Sequence, residues 1–86
     1  MVIIKLRWDL KVLNLRIREI NYMKTAGIII KGARLNKNLT QEELGKKSGV
    51  GSNTIARIER GIQKPSFSTL KKLSKVLDID INNFPD

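Results

Sequence analysis

The chain contains no cysteine and no histidine in 86 residues. Without cysteine there is no disulfide framework and no thiolate zinc site. Without histidine the usual general base, metal ligand and pH switch are missing. Carboxylates are scarce too: there are eight, and Asp78, Asp80 and Asp86 lie in the tail. With two Phe, one Tyr and one Trp, a core must be built mostly from Ile, Leu and Val. Apolar runs are short. Val2-Ile3-Ile4 is interrupted at once by Lys5 and Arg7, which is too short for a signal-peptide core. Nothing approaches the roughly 18 apolar residues of a membrane span. No nucleophile–base pair or metal-ligand cluster is visible, so no enzyme, cofactor or metal is expected. The expected compartment is the cytoplasm, at the nucleoid.

What is abundant is positive charge. Seventeen Lys and Arg against eight acids give +9 and a sequence pI near 10.3. A balance of this size favours a polyanionic partner, through phosphate neutralisation and counterion release. The length allows one domain, and 41% hydrophobic residues suffice for a small helical core.

The most informative stretch runs from Thr40 to Gly61 and reads as two short helices joined by a glycine turn. Thr40 with Glu43 makes a capping box, so a helix should start at Gln41. Leu44 is its apolar residue, and Gly45 is small on the same side, which permits close approach of a neighbour. Gly49 ends the helix where positive φ is needed. Val50 plugs the turn. A second helix runs from about Ser52 to Arg60 and stops at Gly61. Its apolar positions Ile55 and Ile58 are three apart, leaving Ser52, Asn53, Ala56 and Arg57 on the outer surface. Two such helices describe a helix-turn-helix DNA reader, whose second helix enters the major groove.

With these residues in register, the chain resembles the Cro-and-repressor (XRE-type) helix-turn-helix family. The resemblance is carried by Gln41, Gly45 (usually alanine in the family), Gly49, Val50, Ile55 and Ile58. Ala33 to Gln41 resembles the family's first helix and its exit. Glu59-Arg60-Gly61 and Lys64 to Leu70 resemble the loop and fourth helix. Together these cover roughly residues 26–84. The resemblance implies an all-α, compact five-helix repressor-like domain that binds double-stranded DNA. Ser52, Asn53, Ala56 and Arg57 would meet base edges. Gln41, Arg60, Gln63, Lys64 and Ser66 would meet backbone phosphates. Arg34 and Glu59 would join the first helix to the end of the recognition helix as a structural ion pair.

The five helices are expected within residues 26–86. The first covers about Ala26 to Asn36, with Ile29, Ile30 and Ala33 facing in. Residues 61–65 form a loop, because Gly61 ends a helix and Pro65 disfavours helical backbone before it. Ser66 caps a fourth helix to about Leu77, with Phe67, Leu70, Leu73, Val76 and Leu77 at helical spacing. Lys71, Lys72 and Lys75 form its wet face. Asp80 caps a last short turn at 81–84, and Phe84 closes the core.

Residues 1–22 lie outside the resemblance, and the pattern leaves their structure open. Ile4, Leu6, Trp8, Leu10 and Val12 alternate with polar residues, as in a strand. Leu6, Leu10, Leu13, Ile17 and Ile20 follow a 4-3-4-3 spacing, as in a helix or coiled coil. The reading adopted is a short extended piece at 2–8 and a helix from about Asp9 to Tyr22. Residues 23–86 would make a complete family domain alone. Residues 1–22 are therefore either an accessory or dimerisation segment, or an in-frame extension upstream of a start at Met23. Charge does not decide, with five basic and two acidic residues in 1–22 and twelve and six in 23–86. An accessory element must bury its apolar stripe, and a homodimer through this segment is the expected way.

The function expected from all this is sequence-specific transcriptional regulation, most simply repression of a pseudo-palindromic operator by a dimer. The main alternative is an antitoxin that uses the same domain on its own operon and holds a protein toxin with residues 1–22. A protein-interaction module on this fold is a third reading. The polar face of Ser52, Asn53 and Arg57 argues against it, because protein-binding faces carry apolar or aromatic anchors.

Overall fold

One long helix takes up the first two-fifths of the chain. The computed structural model describes the backbone of residues 2–84 and the side chains of residues 10–84. Helix α1 spans Val2–Asn36. The extended piece expected at 2–8 is helical. The separate helices expected at 9–22 and 26–36 are one element that crosses positions 22 and 23 unbroken. The physical reason is backbone hydrogen bonding. No strand lies among the described residues to pair with an extended 2–8, whereas a helix satisfies its N–H and C=O groups locally. The strong helix formers Leu, Lys and Arg supply 13 of its 35 residues, proline is absent, and its first glycine is Gly27. The helix ends through Asn38, which takes the left-handed conformation (φ 56°) and lets the Leu39 N–H return to the Arg34 carbonyl at 3.1 Å.

Three short helices follow: α2 at Gln41–Ser48, α3 at Ser52–Glu59 and α4 at Phe67–Leu77. The fifth element is a 3-10 turn at Ile81–Asn83. Local chemistry sets each boundary. The Thr40 hydroxyl accepts from the Glu43 N–H, and the Glu43 carboxylate accepts from the Thr40 N–H, both at 3.0 Å. The bond from the Thr40 N–H holds the Glu43 carboxyl below the usual carboxylate range, with the Thr40 hydroxyl adding to it. This part of the stability is therefore present above the unfolded glutamate pKa and fades as pH falls through the lowered folded value. Gly49 closes α2 at φ 79°, its N–H bonding the Gly45 carbonyl at 2.9 Å. Ser66 accepts from the Thr69 N–H at 3.1 Å and starts α4. Asp80 accepts from the Asn82 N–H at 2.9 Å and starts the 3-10 turn.

The core is small and aliphatic. Ala26 and Ile30 of α1, Leu44 of α2, Val50 of the turn, Ile55 and Ile58 of α3, Leu70, Leu73 and Leu77 of α4, and Phe84 are buried together. Ile29, Ala33 and Val76 pack around them half-buried. Two glycines let backbones meet. A Cβ at Gly27 would stand 2.4 Å from the Ile58 carbonyl oxygen, so α1 and α3 touch there through their main chains. A Cβ at Gly45 would stand 2.8 Å from the Val50 carbonyl, so the close neighbour of α2 is the turn itself. Phe67 departs from expectation: it is 68% exposed, with the Lys71 ammonium 6.0 Å from its ring. As the first residue of α4 it overhangs the body, and the preceding Pro65 is buried instead.

A polar network fastens α1, α2 and α3 to one another. Arg34 is buried on α1. Its guanidinium donates to both oxygens of Glu59 at the end of α3, Nε to Oε2 at 2.7 Å and Nη2 to Oε1 at 2.9 Å. Its Nη1 donates to the Leu39 carbonyl at 2.7 Å, tying in the loop before α2. Glu59 Oε1 also accepts from the Gln41 side-chain amide at 3.1 Å, at the first residue of α2. The bond to Glu59 raises the Arg34 pKa further above its already high ordinary value, so the guanidinium stays charged.

The first half of α1 projects from this body, and the molecule measures 54 × 24 × 20 Å. Leu10, Val12, Leu13, Leu15, Ile17 and Ile20 are exposed within one copy. The side chains of Ile4, Leu6 and Trp8, and the tail residue Asp86, lie outside the described residues. No described helix is long and apolar enough to cross a membrane.

Gly49→Val should lower stability by more than about 1 kcal/mol, since a β-branched residue would be forced into the left-handed region. Gly51→Ser should be neutral or mildly stabilising. Gly51 precedes α3 with no side-chain cap, and an added Cβ would meet only the Thr54 hydroxyl at 3.7 Å. Thermal melting of the two variants side by side tests the order. Glu59→Ala should cost roughly 3–5 kcal/mol, because it strands a buried guanidinium. Arg34→Met with Glu59→Leu should cost less than Glu59→Ala alone in urea titrations, as both charges then go together.

Candidate nucleic-acid interface

Helix α3 is held by one face and open on the other. Ile55 and Ile58, three residues apart, are fully buried and leave little else on α3 for the core. At 100° per residue, positions 52, 53, 56 and 57 then fall on one edge away from the body. Asn53 and Arg57 are exposed there, with Ser52 and Ala56 half-buried beside them. Among the described residues the side-chain hydrogen bonds and ion pairs run through other groups, such as Arg34, Gln41, Glu59 and the Lys37–Asp78 pair, and none engages these four side chains. The edge therefore presents a hydroxyl, an amide, a methyl and a guanidinium with their donors and acceptors available to an external partner.

Flanking residues come from two sides. Gln41 stands at the start of α2, its amide already held by Glu59. The loop after α3 supplies Arg60 and Lys64, both exposed, and Gln63, half-buried. Ser66 is exposed, but its hydroxyl is engaged, accepting from the Thr69 N–H and donating to the Thr69 hydroxyl at 2.9 Å. What Ser66 offers outward is its place at the head of α4. The Lys64 ammonium sits 5.3 Å from the centre of the Tyr22 ring. Arg34 and Glu59 lie behind this surface as the network described above, not on it.

The structure adds one side chain and one bond to the sequence expectations. Tyr22 was assigned to the N-terminal segment, yet its ring supports Lys64 and lines a groove with Phe67, Leu70, Ile81 and Phe84. The signal was available, since Tyr22, Ala26 and Ile30 repeat at four residues. The bond between Gln41 and Glu59 had no sequence signal, because it joins residues 18 apart on different helices. Among the described residues no cluster of acidic side chains could hold a metal ion.

Comparison with known proteins places this arrangement. The helix-turn-helix family model HTH_3 matches residues 30–84. The cryptic phage CTXphi transcriptional repressor RstR of Vibrio cholerae is 38% identical over 52 residues, covering 60% of this chain and 47% of that protein. The ImmF control region 10 kDa protein of Bacillus phage phi105 is 34% identical over 59 residues, 69% of this chain and 66% of that protein. The HTH-type transcriptional regulator SinR of Bacillus subtilis is 38% identical over 58 residues, 66% and 52% of the two chains. The chain thus spans about half the length of RstR and SinR. The crystal structure of an HTH_3 family transcriptional regulator from Vibrio cholerae superposes with a TM-score of 0.72 at 23% identity. It covers 77% of this chain and 37% of that one, a likeness of fold. With the matched model spanning most of the chain and the turn, caps and buried positions in register, this chain belongs to the XRE-type helix-turn-helix family.

Proposed function

We propose that the chain is a sequence-specific DNA-binding transcriptional regulator that acts as a repressor. The observation that carries this is the outer edge of α3, polar, unengaged and displayed by a helix whose other face is buried. Arg57 offers a planar fork that fits the guanine O6/N7 edge, and Asn53 an amide that fits adenine N6/N7. Ser52 can bond either kind of edge, and Ala56 can meet a thymine methyl. Gln41, Arg60, Gln63 and Lys64, with the head of α4 at Ser66, grip the phosphates on either side and set the register of α3 in the groove. A net charge of +9 adds the sequence-independent attraction that brings the chain to the duplex.

The mechanism is occlusion. Two copies on a pseudo-palindromic operator present two α3 helices to successive major-groove faces, about 34 Å apart, and block the polymerase. Of the relatives, RstR is named as a transcriptional repressor, which supports this sense of regulation over activation.

The test is a selection of bound sequences from random double-stranded DNA, followed by titration of variants on the selected site. Arg57→Ala should cost about 1–3 kcal/mol and relax preference at one base position. Lys64→Ala should weaken all sequences about equally and reduce the salt slope by about one unit. Unchanged specificity in Arg57→Ala would overturn the assignment of α3 as the reading helix.

A further inference from the structure

The projecting half of α1 has a face that the reading of DNA does not use. Leu10, Leu13, Ile17 and Ile20 follow one another at spacings of three, four and three residues, and are 45–52% exposed. This is the a/d seam of a coiled coil. Lys11, Asn14, Arg18 and Asn21 form a polar row on another side of the helix. Beyond Ile20 the seam side continues along α1 as Lys24, Ile28, Lys31 and Leu35, all exposed.

We propose that a second copy of the chain covers this seam, and that the two helices pair antiparallel about a two-fold axis beside residue 15. The inference rests on the DNA-binding dimer proposed above and supplies its interface. Charge chooses the direction. A parallel pair continued along this side would set Lys24 against Lys24 and Lys31 against Lys31, like charges brought together in a desolvated seam. In the antiparallel pair Leu10 meets Ile20 and Leu13 meets Ile17, twice each. Lys24 then falls opposite position 6 of the other copy, so neither Lys24 nor Lys31 meets its own counterpart. The first turn of the other α1 is brought beside Ile28, which is 71% exposed in one copy. Arg16 flanks the axis in both copies and is exposed, so its long stem can carry the charge out to water.

Distance agrees with direction. Helix α1 meets α3 at Gly27, twelve residues beyond the proposed axis. The two crossings therefore lie 24 residues apart along the paired helices, about 36 Å at 1.5 Å per residue. One turn of B-DNA is about 34–36 Å. Parallel pairing would instead set the crossings side by side. The seam contributes four half-exposed side chains per copy, short of the roughly 800 Å² per partner of a standard interface. The pair is accordingly weak in free solution and is completed when both copies sit on DNA.

The full chain has no cysteine, so Leu13→Cys and Ile17→Cys each carry one thiol. The two variants, mixed at high concentration without DNA under mild oxidation, should give mainly the disulfide between position 13 of one and position 17 of the other. Predominant 13–13 and 17–17 products would overturn the antiparallel register. Statistical yields of all three, as from chance collision, would overturn the seam. On DNA, Leu13→Asp with Ile17→Asp should lose at least about tenfold on paired half-sites one turn apart and nothing on a single half-site. Equal loss on both, with the fold intact by circular dichroism, would also overturn the seam. Failure of the unsubstituted chain to bind DNA would sink the DNA reading instead, while the cross-linking pattern still decides the pairing.

Discussion

The packing of α2 and α3 against α1 turns on one carboxylate. Glu59 ends α3, accepts two bonds from the buried Arg34 of α1, and accepts a third from Gln41 at the head of α2. Helices α2 and α3 are eight residues each, too short to be stable alone in water. Three buried aliphatic side chains hold them from within, Leu44, Ile55 and Ile58. The network adds direction to that burial. Apolar contact is indifferent to small rotations, whereas a bidentate pair with a fixed fork is not. Replacing a buried ion pair with packed apolar groups often leaves stability little changed, so the role of this network is registration rather than strength.

For the proposed reading of DNA, registration matters because of what the outer edge of α3 would do. Base edges are read by hydrogen bonds that tolerate little misplacement, and phosphate contacts on either side set where the helix sits. In the proposed complex Gln41 would belong to both systems. It is held by Glu59 on one side and stands at an exposed helix start on the other, so the position of α3 and the grip beside it are mechanically linked. Lys64 is steadied in a similar way, by the Tyr22 ring of α1. The long helix thus supports the surface at both Arg34 and Tyr22, before it projects as an arm.

Much of the domain was legible in the chain because its information is local. Thr40 and Glu43 lie three residues apart and form the capping box that starts α2. Gly49 takes the left-handed turn, Val50 plugs it, and Ser66 and Asp80 cap where a short polar side chain can reach its own backbone. Even Phe84 is buried as its spacing suggests. The spacing of Ile55 and Ile58 also says which edge of α3 is left open. The N-terminal segment resisted the same method because two periods fit its apolar residues equally well. Phe67 misled for a related reason: helical spacing gives its angle around α4 but not that the first turn overhangs the body.

By itself, then, the sequence determined the caps, the turn and most of the buried positions, all properties of residues within about four positions of one another, and its composition excluded histidine and thiol chemistry. Only the tertiary structure decided three things: that residues 2–36 are one helix, that the Tyr22 ring lies under Lys64, and that Glu59 binds Arg34 of α1 and Gln41 of α2 at once. The physical reason is separation along the chain. Arg34 and Glu59 are 25 residues apart, and Gln41 and Glu59 are 18 apart. Hydrogen bonds of that reach exist only after the apolar core has brought the helices together.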